Sequence, residues 1–161
     1  MIQADNPGVD DTEIEQRVHV RIARQALLTR VTDPPTLQVV LNEAILHRPV
    51  GGNKVMVRQL ERLIEAGALP TVSLRVMPFG AGLHHGVMSG TFEILRFPLN
   101  SNGQDTEPPT VYVESLTGAL YLDKPREVDR YDTAFTNIWV SSLDERASRE
   151  LISQVARELG K

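Results

Sequence analysis

Two adjacent histidines in a glycine-rich segment are the residues of this sequence best suited to proton transfer. His84 and His85 lie between Gly82 and Gly86, soon after a segment that we predict to be a β-strand. Ligands bind open α/β sheets where parallel strands end, and an imidazole at such a position can act as a general acid or base. An exposed surface loop without a chemical role is the simpler alternative. For an enzyme, His84 or His85 would be the proton carrier.

Three glutamates in or beside predicted strands are the candidate carboxylates. They are Glu43, Glu93 and Glu114. Burial or a neighbouring arginine changes how readily a carboxyl group releases its proton, and both arrangements occur in acid–base catalysis. An ion pair on the face of a sheet is the simpler alternative. For an enzyme, we expect Glu43 or Glu114 to be the catalytic carboxylate, while Arg48 would bind an anion or a carbonyl group.

The candidate ligand-binding residues are polar and aromatic side chains near the same predicted strands. They are His47, Arg48, Phe79, Glu93, Tyr112 and Tyr121. Small-molecule sites are usually apolar clefts with a few well-placed polar groups. If the polar candidates converge on one apolar cavity, the pattern indicates catalysis; these are Glu43, His47, Arg48, His84, His85, Glu93 and Glu114. If they are spread over the surface, it indicates the binding of a partner.

We expect neither a metal nor a cofactor. The chain has four histidines and no cysteine, and no two histidines have the spacing that places both on one face of a helix. The segment at 50–54 has two glycines and a lysine, but it lacks the Gly-Lys-Ser/Thr ending of a nucleotide P-loop. A tight turn from a strand into a helix is the simpler interpretation. The nucleophile elbow of common hydrolases and the dinucleotide-binding fingerprint are also missing from the sequence.

Composition narrows the class of protein. The chain has 161 residues, a formal net charge of −4 and 41% hydrophobic residues, which fits one ordinary domain with a hydrophobic core. No apolar run approaches the ~20 residues that cross a bilayer, and the acidic first residues differ from a signal peptide. The acidic balance argues against non-specific nucleic-acid binding. We therefore expect a cytoplasmic protein that contacts neither membrane nor nucleic acid directly.

Hydrophobic periodicity predicts nine elements in the order α, β, α, β, β, β, β, α, α. The predicted helices lie at about 12–30, 53–66, 123–139 and 142–159, and the predicted strands at 37–41, 71–77, 91–97, 111–116 and 119–122. The last two strands flank Thr117–Gly118, which is typical of a two-residue hairpin turn. The first two strands are joined by a helix, so we expect them to be parallel, with a right-handed crossover.

These elements predict a mixed α/β (α+β) fold. A βαβ parallel pair would be extended by antiparallel hairpins and covered by an N-terminal helix and two C-terminal helices. Residues 1–11 are predicted to be a disordered leader, and residues 12–161 a single domain that binds a ligand or a partner. The polar segment 98–110 is predicted to be a mobile loop.

Several blocks of the sequence resemble a known family. The blocks are RIARQALLTR (21–30), VVLNEAILHRPVGG (39–52), VMPFGAG (76–82), GTF (90–92), VYVESLTG (111–118) and YL (121–122). In this order they resemble the C-terminal domain of actinobacterial XRE-type helix-turn-helix proteins, described as Scr-family antitoxin-like transcriptional regulators. The likeness extends from about residue 12 to the end of the chain.

The resemblance implies a domain that receives a signal, a partner or a small molecule, and that follows a DNA-binding head. Eleven residues before the first predicted helix are too few for a helix-turn-helix, so we expect the head to be absent and no direct binding of DNA. The sequence also departs from the family at two positions. Asn42 stands where the family more often has an acid, and His85 where it tends to have the proline of a His-Pro-Gly turn.

Three functions therefore compete. The first, which we favour, is a free-standing sensor or regulatory domain that binds a small apolar or polyketide- or peptide-like molecule, or a protein partner. The second is an enzyme recruited to natural-product biosynthesis, of the cyclase or isomerase type, which would act by shape and acid–base catalysis without a cofactor. The third is an antitoxin-like protein whose function is contact with another protein or with a second copy of itself.

Overall fold

The computed structural model describes residues 10–161. The helices are α1 (Asp11–Gln25), α2 (Asn53–Ala66), α3 (His85–Ser89), α4 (Pro125–Ser141) and α5 (Glu145–Leu159), and the strands are β1 (Leu37–Asn42), β2 (Val72–Met77), β3 (Glu93–Leu95), β4 (Thr110–Ser115) and β5 (Gly118–Leu122). Short 3₁₀ turns span Ala26–Thr29, Glu43–Ile45 and Phe79–Ala81. The predicted leader lies outside the described residues, except for its last two positions, and Asp11 already belongs to α1.

The mixed α/β class is confirmed. Within residues 10–161, β1 and β2 form a two-stranded parallel sheet, and β3, β4 and β5 form a three-stranded antiparallel sheet in that order. The hairpin strands therefore form a sheet of their own, and no hydrogen-bonded pairing extends the parallel pair. Between β2 and β3 the chain forms the 3₁₀ turn Phe79–Ala81 and the helix α3, where the sequence predicted a plain loop.

The chain divides into two compact units. Unit 1 runs to Val76 and resumes at Leu143–Lys161, and unit 2 is Met77–Ser142. The prediction that residues 12–161 form one binding domain stays a prediction. So does the mobility of segment 98–110, which contains a β-bridge between Leu99 and Asp105.

The core of unit 1 lies between α2, α5 and the parallel strands. Leu60 of α2 and Val76 of β2 are fully buried, and Ile152 and Val155 of α5 are each 1% exposed. Apolar residues recur every three or four positions along both helices, so each helix presents one apolar stripe to the core. Burying one such side chain stabilises the fold by about 1.5–3 kcal/mol. In contrast, α1 has no buried residue, and its Ile22 is 61% exposed.

A buried serine connects α5 to the end of β2 in unit 1. The backbone N–H of Val76 donates a hydrogen bond of 2.9 Å to Oγ of Ser148, and the carbonyl of Val76 accepts one of 2.9 Å from the N–H of Leu143. The Ser148 hydroxyl donates to the carbonyl of Leu143 at 3.3 Å. Ser148 itself is fully buried. Both backbone groups of Val76 are thereby satisfied, as buried backbone requires.

The turn into α2 requires glycine at residue 52. Gly52 is the N-cap of α2, and its φ of +86° lies in the region that residues with a side chain rarely adopt. A Cβ atom at this position would have no neighbour within 4 Å. Any cost of a side chain at residue 52 would therefore come from the backbone alone.

We expect Gly52→Ala to lower the free energy of unfolding by about 1–3 kcal/mol, because the backbone conformation at φ +86° and ψ 164° is essentially restricted to glycine. Urea denaturation followed by circular dichroism measures the change. Gly80→Ala is the matched control, since Gly80 also has open space around a Cβ but has no positive φ. An equal loss in the two variants would contradict the backbone explanation.

In unit 2 the antiparallel sheet packs against α4. Val111 of β4 is fully buried, and Val128 and Ile138 of α4 are 6% and 8% exposed. The rings of Phe92 and Tyr131 meet edge to face with 4.9 Å between their centroids, a favoured aromatic geometry. These contacts pack the antiparallel sheet of unit 2 against α4.

Candidate functional site

The ten predicted site residues fall in both units. Unit 1 contains Glu43, His47 and Arg48, and unit 2 contains Phe79, His84, His85, Glu93, Tyr112, Glu114 and Tyr121. Each group is described within its own unit.

In unit 1, Glu43 and His47 form a carboxylate–imidazole pair directly after β1. Oε1 of Glu43 lies 3.7 Å from Nε2 of His47, at a separation of four residues. The Glu43 side chain is 14% exposed and that of His47 is 41% exposed. A protonated imidazole would form an ion pair at this distance. Arg48, the next residue, is exposed.

Asn42 holds the turn that carries this pair. Its Oδ1 accepts a hydrogen bond of 2.9 Å from the N–H of Ala44, so Asn42 caps the 3₁₀ turn Glu43–Ile45. An aspartate oxygen can make the same cap. The local geometry therefore accounts for Asn42 without a role in catalysis.

In unit 2, His84 serves as a structural cap. Its Nδ1 accepts a hydrogen bond of 3.1 Å from the N–H of Gly86, which makes His84 the N-cap of α3. The proton of the neutral ring must then reside on Nε2. A Cβ at Gly86 would lie 2.9 Å from Nδ1 of His84, so glycine leaves room for this ring. His84 is half-buried, whereas His85 is exposed.

We expect His84→Ala to lower the free energy of unfolding by about 0.5–2 kcal/mol, because the first turn of α3 loses its hydrogen-bond acceptor. His84→Asn should retain most of the stability, because an amide oxygen is a good N-cap. Thermal denaturation of both variants measures the difference. Equal destabilisation by alanine and asparagine would show that capping is not the role of His84.

Four of the predicted residues lie on one face of the antiparallel sheet. Glu93 of β3 is paired in register with Tyr112 of β4, which is paired with Tyr121 of β5. Glu114 comes two residues after Tyr112, so it projects from the same face. We call these four residues the tyrosine–carboxylate face. The two tyrosine rings are tilted by 56° with 5.2 Å between their centroids, and Tyr121 is 69% exposed.

The tyrosine–carboxylate face is negative. Glu93 and Glu114 are both exposed, and β3, β4 and β5 contain no lysine or arginine. Arg96, just beyond β3, directs its guanidinium to Asp132 of α4, with Nη2 2.6 and 2.8 Å from the two carboxylate oxygens. Arg96 therefore forms an ion pair with α4, and the face combines two exposed carboxylates with the half-buried ring of Tyr112 and the exposed ring of Tyr121.

The sequence predicted these residues but not their pairing. A turn at Thr117–Gly118 would have placed Tyr112 opposite Asp123. The hairpin is confirmed, but its two-residue turn is Leu116–Thr117, and Ser115 pairs with Gly118. The φ of Gly118 is +151°. A glycine can enter the strand in this conformation at little cost, and the register consequently moves by two residues and brings the tyrosines together.

Other features of the structure lie apart from the predicted residues. Phe79 is in the 3₁₀ turn after β2 and is 63% exposed. In unit 1, a shallow open cleft with only about 10 Å³ of internal space lies between α2, α5 and β2. It is lined by Leu63, Ile64, Gly67, Leu74, Glu145, Arg149 and Ile152, and it contains none of the ten predicted residues.

Metal binding and membrane insertion were considered for the described residues. Within residues 10–161, His, Asp and Glu side chains form no group of three or more that could hold a metal ion. Over the same residues, every helix is too short or too polar to span a lipid bilayer.

The fold and the candidate site define a mixed α/β protein with a negative aromatic face. Residues 1–154 match the family described as Domain of unknown function (DUF5753), and the chain belongs to this family. No curated protein matches the sequence, and no solved structure matches it either.

Proposed function

We propose that the protein is a regulatory binding domain that recognises a cationic group on the tyrosine–carboxylate face. The observation that carries the proposal is the register of the antiparallel sheet, which places the paired rings of Tyr112 and Tyr121 on the same face as Glu93 and Glu114. The preferred ligand is an alkylammonium or guanidinium group attached to an apolar body.

The chemistry of the face explains this preference. The face of a phenol ring is electron-rich and attracts cations, with about 0.5–1 kcal/mol gained at an exposed site. Two carboxylates on the same face add Coulomb attraction and deter anions. A neutral apolar molecule would gain only ring contact. The charge of Glu93 and Glu114 therefore sets the specificity, and the rings of Tyr112 and Tyr121 add affinity.

The positions of the other candidates support binding in preference to catalysis. His84 is occupied as a helix cap, so one of the two proposed proton carriers has a structural role. Small-molecule sites usually enclose about 300–1,000 Å³, far more than the roughly 10 Å³ of the cleft in unit 1. A cyclase or isomerase could instead use the exposed His85 or the Glu43–His47 pair.

The resemblance to the C-terminal domain of XRE-type, Scr-family antitoxin-like regulators agrees with a receiving role. A small cationic molecule at the face would make the protein a sensor. A basic segment of another protein would make it an antitoxin-like partner. Both ligands supply the same cationic group, so the experiment must separate them.

The test is a titration of the full chain with two probes, benzyltrimethylammonium and a hexa-arginine peptide, followed by NMR of the tyrosine rings. We expect both probes to shift the signals of Tyr112 and Tyr121. A higher affinity for the single cation supports a sensor, and a higher affinity for the peptide supports a protein partner. If neither probe shifts these signals, the proposal is wrong.

Substitutions on the tyrosine–carboxylate face test whether the cationic probe binds there. We expect Tyr121→Ala to weaken binding of the benzyltrimethylammonium probe about 2- to 5-fold, which corresponds to the loss of one exposed cation–π contact. Replacing both Glu93 and Glu114 by glutamine should weaken it further and remove its dependence on salt. Glu145→Gln, at the first residue of α5 in unit 1, is the control and should bind like the original chain. Equal weakening in the control would mean non-specific attraction to an acidic protein.

A further inference from the structure

Strand β5 is an edge of the antiparallel sheet. Within residues 10–161 it pairs with β4 on one side and with no strand on the other. Its five residues, Gly118–Leu122, carry no charge and no proline. Leu120 is 59% exposed and Tyr121 is 69% exposed. Proteins usually protect such edges with charges, prolines or bulges, because an unprotected edge accepts another strand.

The hairpin register shows which backbone groups face outward. In a two-residue hairpin the residues that flank the turn, here Ser115 and Gly118, form a hydrogen-bonded pair, and such pairs alternate with non-bonded ones. Leu120 and Leu122 therefore bond to β4. The N–H and C=O groups of Ala119 and Tyr121 then point away from β4, toward the open edge.

These outward groups are arranged symmetrically about Leu120. If a second β5 strand lies antiparallel with its Leu120 opposite the first Leu120, Ala119 of each copy faces Tyr121 of the other. Each of these two facing pairs exchanges two backbone hydrogen bonds, so four bonds form. The side chains are also complementary, because the small Ala119 leaves space beside the large Tyr121 ring.

We infer that β5 is a self-association edge, and that two copies of the chain pair antiparallel through β5 about a two-fold axis at Leu120. The pairing joins two three-stranded sheets into one sheet of six strands. A second copy of the chain fits this edge for two reasons. The hydrogen-bonding groups of one β5 match those of a second β5 in the antiparallel orientation, and two uncharged strands do not repel each other. The two-fold pairing is closed, because it occupies the open side of β5 in both copies and no third copy can add there. The inference does not depend on the proposed cation site.

The absence of cysteine from the sequence allows a direct test by cross-linking. Directly opposed residues of a non-bonded antiparallel pair have Cα atoms about 4.5 Å apart, which suits a disulfide. We expect Leu120→Cys to form a covalent dimer rapidly under mild oxidation. Leu116→Cys is the control, because Leu116 is 96% exposed but would lie more than about 20 Å from its counterpart. Equal cross-linking of the two variants would overturn the inference.

A charge-swap experiment provides the second test. Light scattering and sedimentation of the original chain at about 100 μM should show a dimer, a concentration at which weak specific complexes are populated. Leu120→Lys and Leu120→Glu should each weaken the dimer at least about tenfold, because like charges then face each other. An equimolar mixture of the two variants should restore it.

Circular dichroism checks that both variants are folded. A monomeric original chain, or a dimer that Leu120→Lys leaves intact, would overturn the inference. The cation titration separates this result from the proposed function, because Leu120 lies on the opposite face of the sheet from Tyr112 and Tyr121.

Discussion

Leu60→Ala is expected to lower the free energy of unfolding by about 2–5 kcal/mol, the usual cost of removing a large buried aliphatic side chain. Leu60 is fully buried in the core of unit 1, where it packs with residues of β2 and α5. The substitution removes apolar contacts and leaves a cavity that rigid neighbours on two helices and a sheet cannot fill.

Urea denaturation followed by far-UV circular dichroism measures this loss as a lower midpoint. Gln59→Ala is the matched control, since Gln59 is the preceding residue of α2 and is exposed. Its effect should stay within about 0.5 kcal/mol. A loss below 1 kcal/mol for Leu60→Ala would mean that the core of unit 1 is not packed as described.

Ser148→Ala is expected to lower the free energy of unfolding by about 1–3 kcal/mol. Alanine fits the space of serine, but it leaves the N–H of Val76 without the hydroxyl oxygen that lies 2.9 Å away. A buried donor without an acceptor loses its interaction with water and gains none in return. The cost is therefore larger than the net value of an ordinary hydrogen bond.

Ser153→Ala provides the control on the same helix. The Ser153 hydroxyl donates to the carbonyl of Arg149, four residues earlier, and that carbonyl is an exposed helix group. Loss of the Ser153 hydroxyl should change the free energy of unfolding by less than about 0.5 kcal/mol. Hydrogen exchange of the Val76 amide gives a local readout, and it should accelerate in Ser148→Ala only. Unchanged exchange at Val76 would contradict the assigned hydrogen bond.

The sequence was sufficient to place most of the helices and strands. Helices α2, α4 and α5 and strands β1, β2, β4 and β5 begin and end within about three residues of their predicted positions, because each has a strong apolar period. α3 was not predicted. A five-residue helix has too short a pattern, and its cap is an unusual one, the ring of His84.

The division into two sheets could not be predicted from local patterns. Strand order depends on contacts between distant segments, and periodicity reports only which side of each strand is apolar. The tyrosine–carboxylate face could not be predicted either, because it depends on the register of the hairpin. Alternation placed Tyr112 and Glu114 on one side of β4, but only the observed turn at Leu116–Thr117 places Tyr121 beside them.

Ser148 was overlooked although the sequence contained a signal for it. Ser148 precedes Ile152 by four residues and Val155 by seven, so it lies on the apolar stripe of α5. A serine at such a position must find a hydrogen-bond partner. The sequence could not identify that partner, because Val76 belongs to a strand far away along the chain.

The core of unit 1 combines two segments that are distant along the chain, since Leu143–Lys161 completes the core that the segment up to Val76 begins. On the ribosome, the apolar stripe of α2 is made well before α5, and all of Met77–Ser142 is translated in the interval. At about 5–20 residues per second, Leu60 and Val76 remain without their α5 contacts for several seconds. Unit 2, which is continuous, can fold first. Chaperone dependence during synthesis should therefore centre on the early half of unit 1.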